Sequence, residues 1–178
     1  MKSSKVQQID NSLYDSIIAG YRGKPGDLLS VLEDIQTATP HSYLTEPAIR
    51  YVAEKMKVPL SRIYSVITFY SFFNLNPQGD HTVTVCRGTA CHTRGSRALL
   101  ADIMIKLGLN EEETGGETSY TTDDMRFTVR TVACFGQCAL APVIAVDGVI
   151  FSHMTSEKLE AIIKKLSSAK KPVRRRNP

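Results

Sequence analysis

Between positions 10 and 75 apolar side chains return every three or four residues, and beyond position 80 a period of two appears as well. Leu13, Ile17 and Tyr21 recur at turn spacing until Gly23-Lys-Pro-Gly26 breaks the pattern. Leu28, Leu32 and Ile35 resume it and stop near Thr39-Pro40. Ile49, Val52, Ala53 and Met56 make an i, i+3, i+4, i+7 stripe, with Thr45 placed to cap it and Pro47 tolerable in its first turn. Leu60, Ile63, Ile67 and Tyr70 form the last stripe, opened by Pro59. Four short amphipathic helices with brief links predict a small bundle.

Asn76-Pro-Gln-Gly79 ends this regime, and His81-Thr-Val-Thr-Val-Cys86 alternates as a strand does. Gly95-Ser96 opens a helix with Leu100, Ile103, Met104 and Leu107 on one face, closed by Gly108. Residues 110–124 hold six acids, no Lys or Arg, and Gly115-Gly116, which predicts a surface loop. Arg126 to Val132 alternates again. Val143 to Phe151 reads as a hairpin turning at Asp147-Gly148, and Thr155 caps a final helix bearing Leu159, Ile162, Ile163 and Leu166. Strand, helix and strand imply a parallel pair joined by a right-handed crossover, to which the hairpin adds an antiparallel pair. The fold class expected is α/β: an N-terminal small helical bundle plus a thioredoxin-like mixed four-stranded sheet flanked by helices. The expected divisions are a flexible start at 1–9, the bundle at 10–75, the sheet domain at 80–167 and a basic disordered tail at 168–178.

Composition narrows the class. Over 178 residues, 42% apolar and 22% charged content is that of a soluble globular protein. No apolar run approaches a bilayer span, and no apolar stretch follows the charged start, so neither a membrane helix nor a signal peptide is expected. The expected compartment is the cytoplasm, where thiols stay reduced. The net charge of +4 is concentrated at one end. Lys170, Lys171, Arg174, Arg175 and Arg176 account for five of 22 basic residues, leaving 17 against 18 acids in the body. That tail reads as a solvated end rather than a nucleic-acid-binding patch.

The candidate chemistry lies in the cysteines. All four fall in two tight pairs, Cys86-Arg-Gly-Thr-Ala-Cys91 and Cys134-Phe-Gly-Gln-Cys138. Each pair begins where a predicted strand ends, and neighbouring parallel strands end at the same sheet edge, so the two loops should meet. A 2Fe-2S cluster takes four thiolates, and its formal charge of about −2 calls for backbone N–H donors close to the sulfurs. Gly88, Ala90 and Gly95 around the first pair, and Gly136 and Ala139 around the second, let the backbone approach. A structural zinc ion accepts similar spacings and stays open as a rival. Disulfides need an oxidising compartment, and dithiol exchange needs a two-residue spacing that is absent.

Three strings carry a resemblance: Thr89-Ala-Cys-His92, Cys134-Phe-Gly-Gln-Cys-Ala-Leu-Ala-Pro142, and Val66-Ile-Thr-Phe-Tyr-Ser-Phe-Phe73. They resemble the thioredoxin-like 2Fe-2S subunit family, which includes the NuoE-type subunit of complex I and small subunits of NAD-linked hydrogenases and formate dehydrogenases. The likeness runs from about Leu28 to Leu166. It implies one 2Fe-2S cluster on Cys86, Cys91, Cys134 and Cys138, with the helical part packed on a flavin-binding partner subunit. FMN and NAD(P) are then expected on that partner, within a hetero-oligomer holding further iron–sulfur subunits. Ala139-Leu-Ala-Pro142 and Met154-Thr-Ser-Glu-Lys158 resemble the hydrogenase and formate dehydrogenase members slightly more than complex I. The function that this resemblance implies is one-electron transfer in an NAD(P)-linked oxidoreductase, expected to be a soluble, electron-bifurcating or simple hydrogenase or formate dehydrogenase, with complex I as the alternative host and no complete active site on this chain.

Other features are weaker. Phe69, Tyr70, Phe72 and Phe73 suit either a core or a subunit interface, since adjacent Phe residues cannot share one helix face. His92 follows a cysteine directly, but four thiols already suffice, so it reads as a hydrogen-bonding loop residue. Tyr70, Arg87 and Arg94 are candidates for tuning a cluster by charge or hydrogen bonding. Ala48 to Ile67 resembles a helix-turn-helix, which would suit an iron–sulfur or zinc DNA-binding regulator. After Arg62, however, the would-be recognition helix offers no Lys, Arg, Asn or Gln to reach base edges.

Overall fold

The structure is a computed structural model that describes residues 10–109 and 119–168. It divides into two compact units, Met1–Pro77 and Gln78–Pro178. The start at 1–9, the acidic part of the loop at 110–118 and the basic tail from 169 onward lie outside the described residues.

The first unit contains α1 (Asn11–Tyr21), α2 (Asp27–Ala38), α3 (Glu46–Met56) and α4 (Leu60–Phe69). Local chemistry sets their ends. Asp10 accepts the Leu13 N–H at 3.1 Å, Thr45 accepts the Ala48 N–H at 3.2 Å, and Lys57 closes α3 in the left-handed region. Leu32, Ile35, Ile49, Val52 and Ile63 are fully enclosed and form its core. On α1 the deepest residues are Tyr14 and Ile18, with Leu13, Ile17 and Tyr21 only partly covered. The buried face is therefore rotated by one residue from the predicted stripe. Tyr70 departs from its predicted stripe too, because α4 ends at Phe69 and the backbone turns extended there. Gln36, itself buried, donates to the Phe72 carbonyl at 3.1 Å and accepts the Asn74 N–H at 2.7 Å. This fixes the turn after α4, putting Phe73 in the core and Phe69, Tyr70 and Phe72 at the surface.

The second unit contains β1 (His81–Cys86), α5 (Thr89–Thr93), α6 (Ser96–Lys106), β2 (Ser119–Thr121), β3 (Phe127–Val132), β4 (Ile144–Val146), β5 (Val149–Phe151) and α7 (Ser156–Ser168). Its sheet has five strands in the order β2-β3-β1-β4-β5, not four. The extra strand lies where the acids and glycines predict only loop. Ser119–Thr121 is too short to show a period, and pairing with Arg130, Val129 and Thr128 makes it a strand. β1 and β3 run parallel, and every other pair is antiparallel. Val83, Val85, Val129 and Ile144 share one core with Leu99, Ile103 and Met104 of α6 and Leu159 and Ile163 of α7. The β4–β5 hairpin turns at Asp147-Gly148 with both residues at positive φ, as a tight two-residue turn requires. Its tip is pinned to β1: Asp147 meets His81 Nδ1 at 2.7 Å and accepts the Thr82 N–H at 2.8 Å. No helix among the described residues is long and apolar enough to cross a membrane.

Candidate metal centre

Parallel pairing sets the site. Cys86 is the last residue of β1 and lies opposite Val132, the last residue of β3, so the chain leaves both strands at one edge. The Arg87 N–H still donates to the Val132 carbonyl at 2.8 Å, which holds the two exits together. From the first exit the chain turns directly into α5, which carries Cys91. From the second it passes Cys134 and Gly136 and enters a 3-10 turn, Cys138–Leu140, which begins with the fourth cysteine. The Ala141–Pro142 peptide that follows is cis.

All four cysteines line one hollow that opens to solvent, together with Phe135 and Val143. All four thiols are free of disulfide bonds. The two pairs differ in depth: Cys86 and Cys91 are buried, whereas Cys134 and Cys138 are exposed. Cys134 Sγ and Cys138 Sγ are 3.8 Å apart. Among the described residues no three His, Cys, Asp or Glu side chains gather about one point as a single metal ion needs. The sulfurs stand around the hollow instead.

The backbone serves the sulfurs. Gly136 occupies the left-handed region at φ 79° and donates its N–H to Cys134 Sγ at 3.2 Å. Gly88 suits the site for a different reason: a Cβ there would lie 3.0 Å from the Ala133 carbonyl oxygen and 3.4 Å from Cys134 Sγ, so glycine avoids crowding. Burial works to raise the Cys86 thiol, yet N–H groups of Gly88 and Phe135 and the thiols of Cys91 and Cys134 hold it below its ordinary value. Burial raises Cys91, and the neighbouring Cys86 adds to this against the opposing N–H of Val143. Cys138 is raised chiefly by its hydrogen bond and charge interaction with Cys134. Beyond burial and the N–H donors, thiolates this close repel one another, so one ionises at the expense of its neighbours. Only positive charge inside the hollow lets all four ionise together, and a coordinated metal deprotonates thiols outright. Four sulfurs, N–H donors aimed at them and a glycine whose Cβ would intrude make a donor set that fits an iron–sulfur centre.

The remaining candidates separate. Arg94 joins the site through its guanidinium, which donates to the carbonyls of Ala139 and Ala141. His92 is exposed on α5 and Arg87 is exposed at the strand exit. Tyr70 belongs to the first unit, with its ring against Phe69 and Phe72. The N–H donors from Phe135 and Val143 had no sequence signal, because a backbone N–H is common to every residue but proline and only its direction matters.

Comparison with known proteins gives concordant results. The sequence profile of the thioredoxin-like 2Fe-2S ferredoxin family matches residues 14–167. An NADH-quinone oxidoreductase subunit of Rickettsia bellii (strain RML369-C) is 38% identical over 157 residues, covering 87% of this chain and 89% of that protein. The NADP-reducing hydrogenase subunit HndA of Solidesulfovibrio fructosivorans is 32% identical over 140 residues, covering 79% of this chain and 77% of that one. In fold, the chain matches part of an air-oxidised NAD+-reducing NiFe-hydrogenase at a TM-score of 0.64 and 22% identity. That match covers 81% of this chain but 23% of the hydrogenase chain.

Proposed function

Since the chain belongs to the thioredoxin-like 2Fe-2S ferredoxin family, we propose that Cys86, Cys91, Cys134 and Cys138 hold one 2Fe-2S cluster in an electron-transfer subunit. The observation that carries this is the meeting of four free thiols, from two loops 42 residues apart, around a single hollow. Two sulfurs bound to one tetrahedral ion at about 2.3 Å lie about 3.8 Å apart. The Cys134–Cys138 spacing of 3.8 Å suits a shared iron on that side. When bound, such a cluster accepts and returns one electron at a time. The residues of the chain bind and orient it. N–H groups of Gly88, Phe135, Gly136 and Val143 offset the thiolate charge, Cys86 and Cys91 exclude water beneath, and Cys134 and Cys138 face the surface.

The chain works beside a partner that binds flavin and NAD(P), in a multisubunit oxidoreductase of the cytoplasm, and completes no turnover alone. Phe69, at 79% exposed, with Tyr70 and Phe72 beside it, supplies apolar surface suited to a partner. The host is an NADH-quinone oxidoreductase, in which this chain is the NuoE-type component, favoured by the higher identity to the Rickettsia bellii protein. A second reading is a hydrogenase or formate dehydrogenase, favoured by Ala139-Leu-Ala-Pro142, Met154-Thr-Ser-Glu-Lys158 and the HndA relative.

Anaerobic reconstitution followed by metal and sulfide analysis and spin-resonance spectroscopy tests the cluster. Two irons and two sulfides per chain, with a one-electron signal on reduction, are expected. One zinc per chain and no visible colour would end the reading. Identification of the subunits that copurify with the native chain decides between the hosts.

A further inference from the structure

The turn that presents Cys138 is held from two directions. On one side the His153 N–H donates to the Leu140 carbonyl at 2.9 Å and the Met154 N–H to the Pro142 carbonyl at 3.0 Å. On the other side Arg94 Nη1 donates to the carbonyl oxygens of Ala139 at 3.5 Å and Ala141 at 3.3 Å. Four successive carbonyls, 139 to 142, are thus gripped alternately from the link between β5 and α7 and from the end of α5. Arg94 caps α5, three residues after Cys91. A single side chain therefore ties the segment carrying the deep cysteines to the segment carrying the exposed ones, and brings a permanent positive charge beside the exposed pair.

We propose that Arg94 is a positioning residue for the metal centre, clamping the Cys138 turn against the Cys91 helix and raising the reduction potential of the cluster by its charge. The proposal rests on the cluster reading above. Reduction adds a negative charge at the hollow, and a guanidinium within on the order of 10 Å, bonded to the turn that Cys138 begins, favours the reduced form. Arginine suits the clamp because its fork presents several N–H donors in fixed geometry and stays charged, whereas lysine offers the charge without the fork. Charge and fork can therefore be separated by substitution.

The experiment compares wild type, Arg94→Gln and Arg94→Lys as reconstituted full chains. It measures midpoint potential by spectroscopic titration and the rate of iron loss to a ferrous chelator. Removing one charge at this distance should lower the reduction equilibrium constant between about twofold and fifteenfold. That corresponds to a potential about 20–70 mV more negative for a one-electron couple. Arg94→Lys should keep the potential within a twofold change in that constant, yet lose iron about as fast as Arg94→Gln and at least about threefold faster than wild type. A potential unmoved in Arg94→Gln, or moved equally in both variants, overturns the electrostatic role. Iron loss unchanged in both overturns the clamp. Should neither variant retain a cluster, an apo fold intact by circular dichroism supports the clamp, and loss of the fold in both overturns a role specific to the site. A wild-type chain that binds no iron overturns the cluster reading itself, a different outcome from a normal cluster indifferent to Arg94.

Discussion

Cys134 and Cys138 stand at the surface while Cys86 and Cys91 lie beneath it, so replacements should act differently at the two depths. Cys134→Ser is expected to cost the cluster while leaving the fold near wild type, because the side chain it alters is solvated. Iron content and the thermal midpoint, measured on one preparation, check both halves. His92→Ala, at an exposed position on α5, should keep full iron content. Iron falling below half of wild type in that variant would make the histidine a ligand after all. Gly88→Ala puts a methyl group 3.0 Å from the Ala133 carbonyl and 3.4 Å from a sulfur. It should destabilise the fold by about 1–3 kcal/mol through overpacking and weaken cluster retention, read from denaturant melts and chelator challenge.

At the scale of elements, α6 and α7 pack together over the sheet, and their contributions can be weighed. Ile103 of α6 is fully enclosed in the core they share with the sheet, whereas Ile105, two residues on, is 77% exposed. Ile103→Ala should cost about 2–5 kcal/mol in urea unfolding. Ile105→Ala should stay within about 0.5 kcal/mol, and equal effects would contradict this orientation of α6. Polar contacts join the same helices. Glu160 pairs with Lys106 across the junction and with Lys164 one turn along, and these hydrogen bonds and charges hold its carboxyl down to about 2 from 4.5. A depressed carboxyl stabilises the folded state above its unfolded value and loses that contribution as pH falls through the folded one. Glu160→Gln should therefore be less stable than wild type at neutral pH, and the difference should fade between about pH 4.5 and 2. The pair is exposed, so the difference is small. A gap that persists at pH 2 would assign it to packing instead.

At the scale of the molecule, the partner contact proposed above falls on the aromatic residues around the end of α4. Residues 63 to 79 contain no charged side chain, and four rings of that stretch, Tyr64, Phe69, Tyr70 and Phe72, stand at its surface. Phe69→Glu leaves the core untouched, since Phe69 itself is 79% exposed. The variant should fold and load iron normally yet fail to copurify with the subunits that accompany wild type. Unchanged copurification would place the interface elsewhere.

Much of this was legible in the chain itself, because local periodicity records which face of each segment must leave water. Asp147-Gly148 marks the hairpin, Thr45 and Thr155 mark helix starts, and the placement of the cysteines after alternating stretches predicts their meeting at one sheet edge. Contacts between segments distant in sequence settled the rest. β2 exists because β3 offers a partner to three residues without a pattern of their own. Phe73 is inside and Phe72 outside because Gln36 fixes the turn between them. The depth of each sulfur, the N–H groups directed at it and the reach of Arg94 to Ala139 and Ala141 follow from how two loop exits are packed. Sequence states which groups can donate, accept or ionise; the direction in which each points, and what shields it from water, is a property of the folded chain alone.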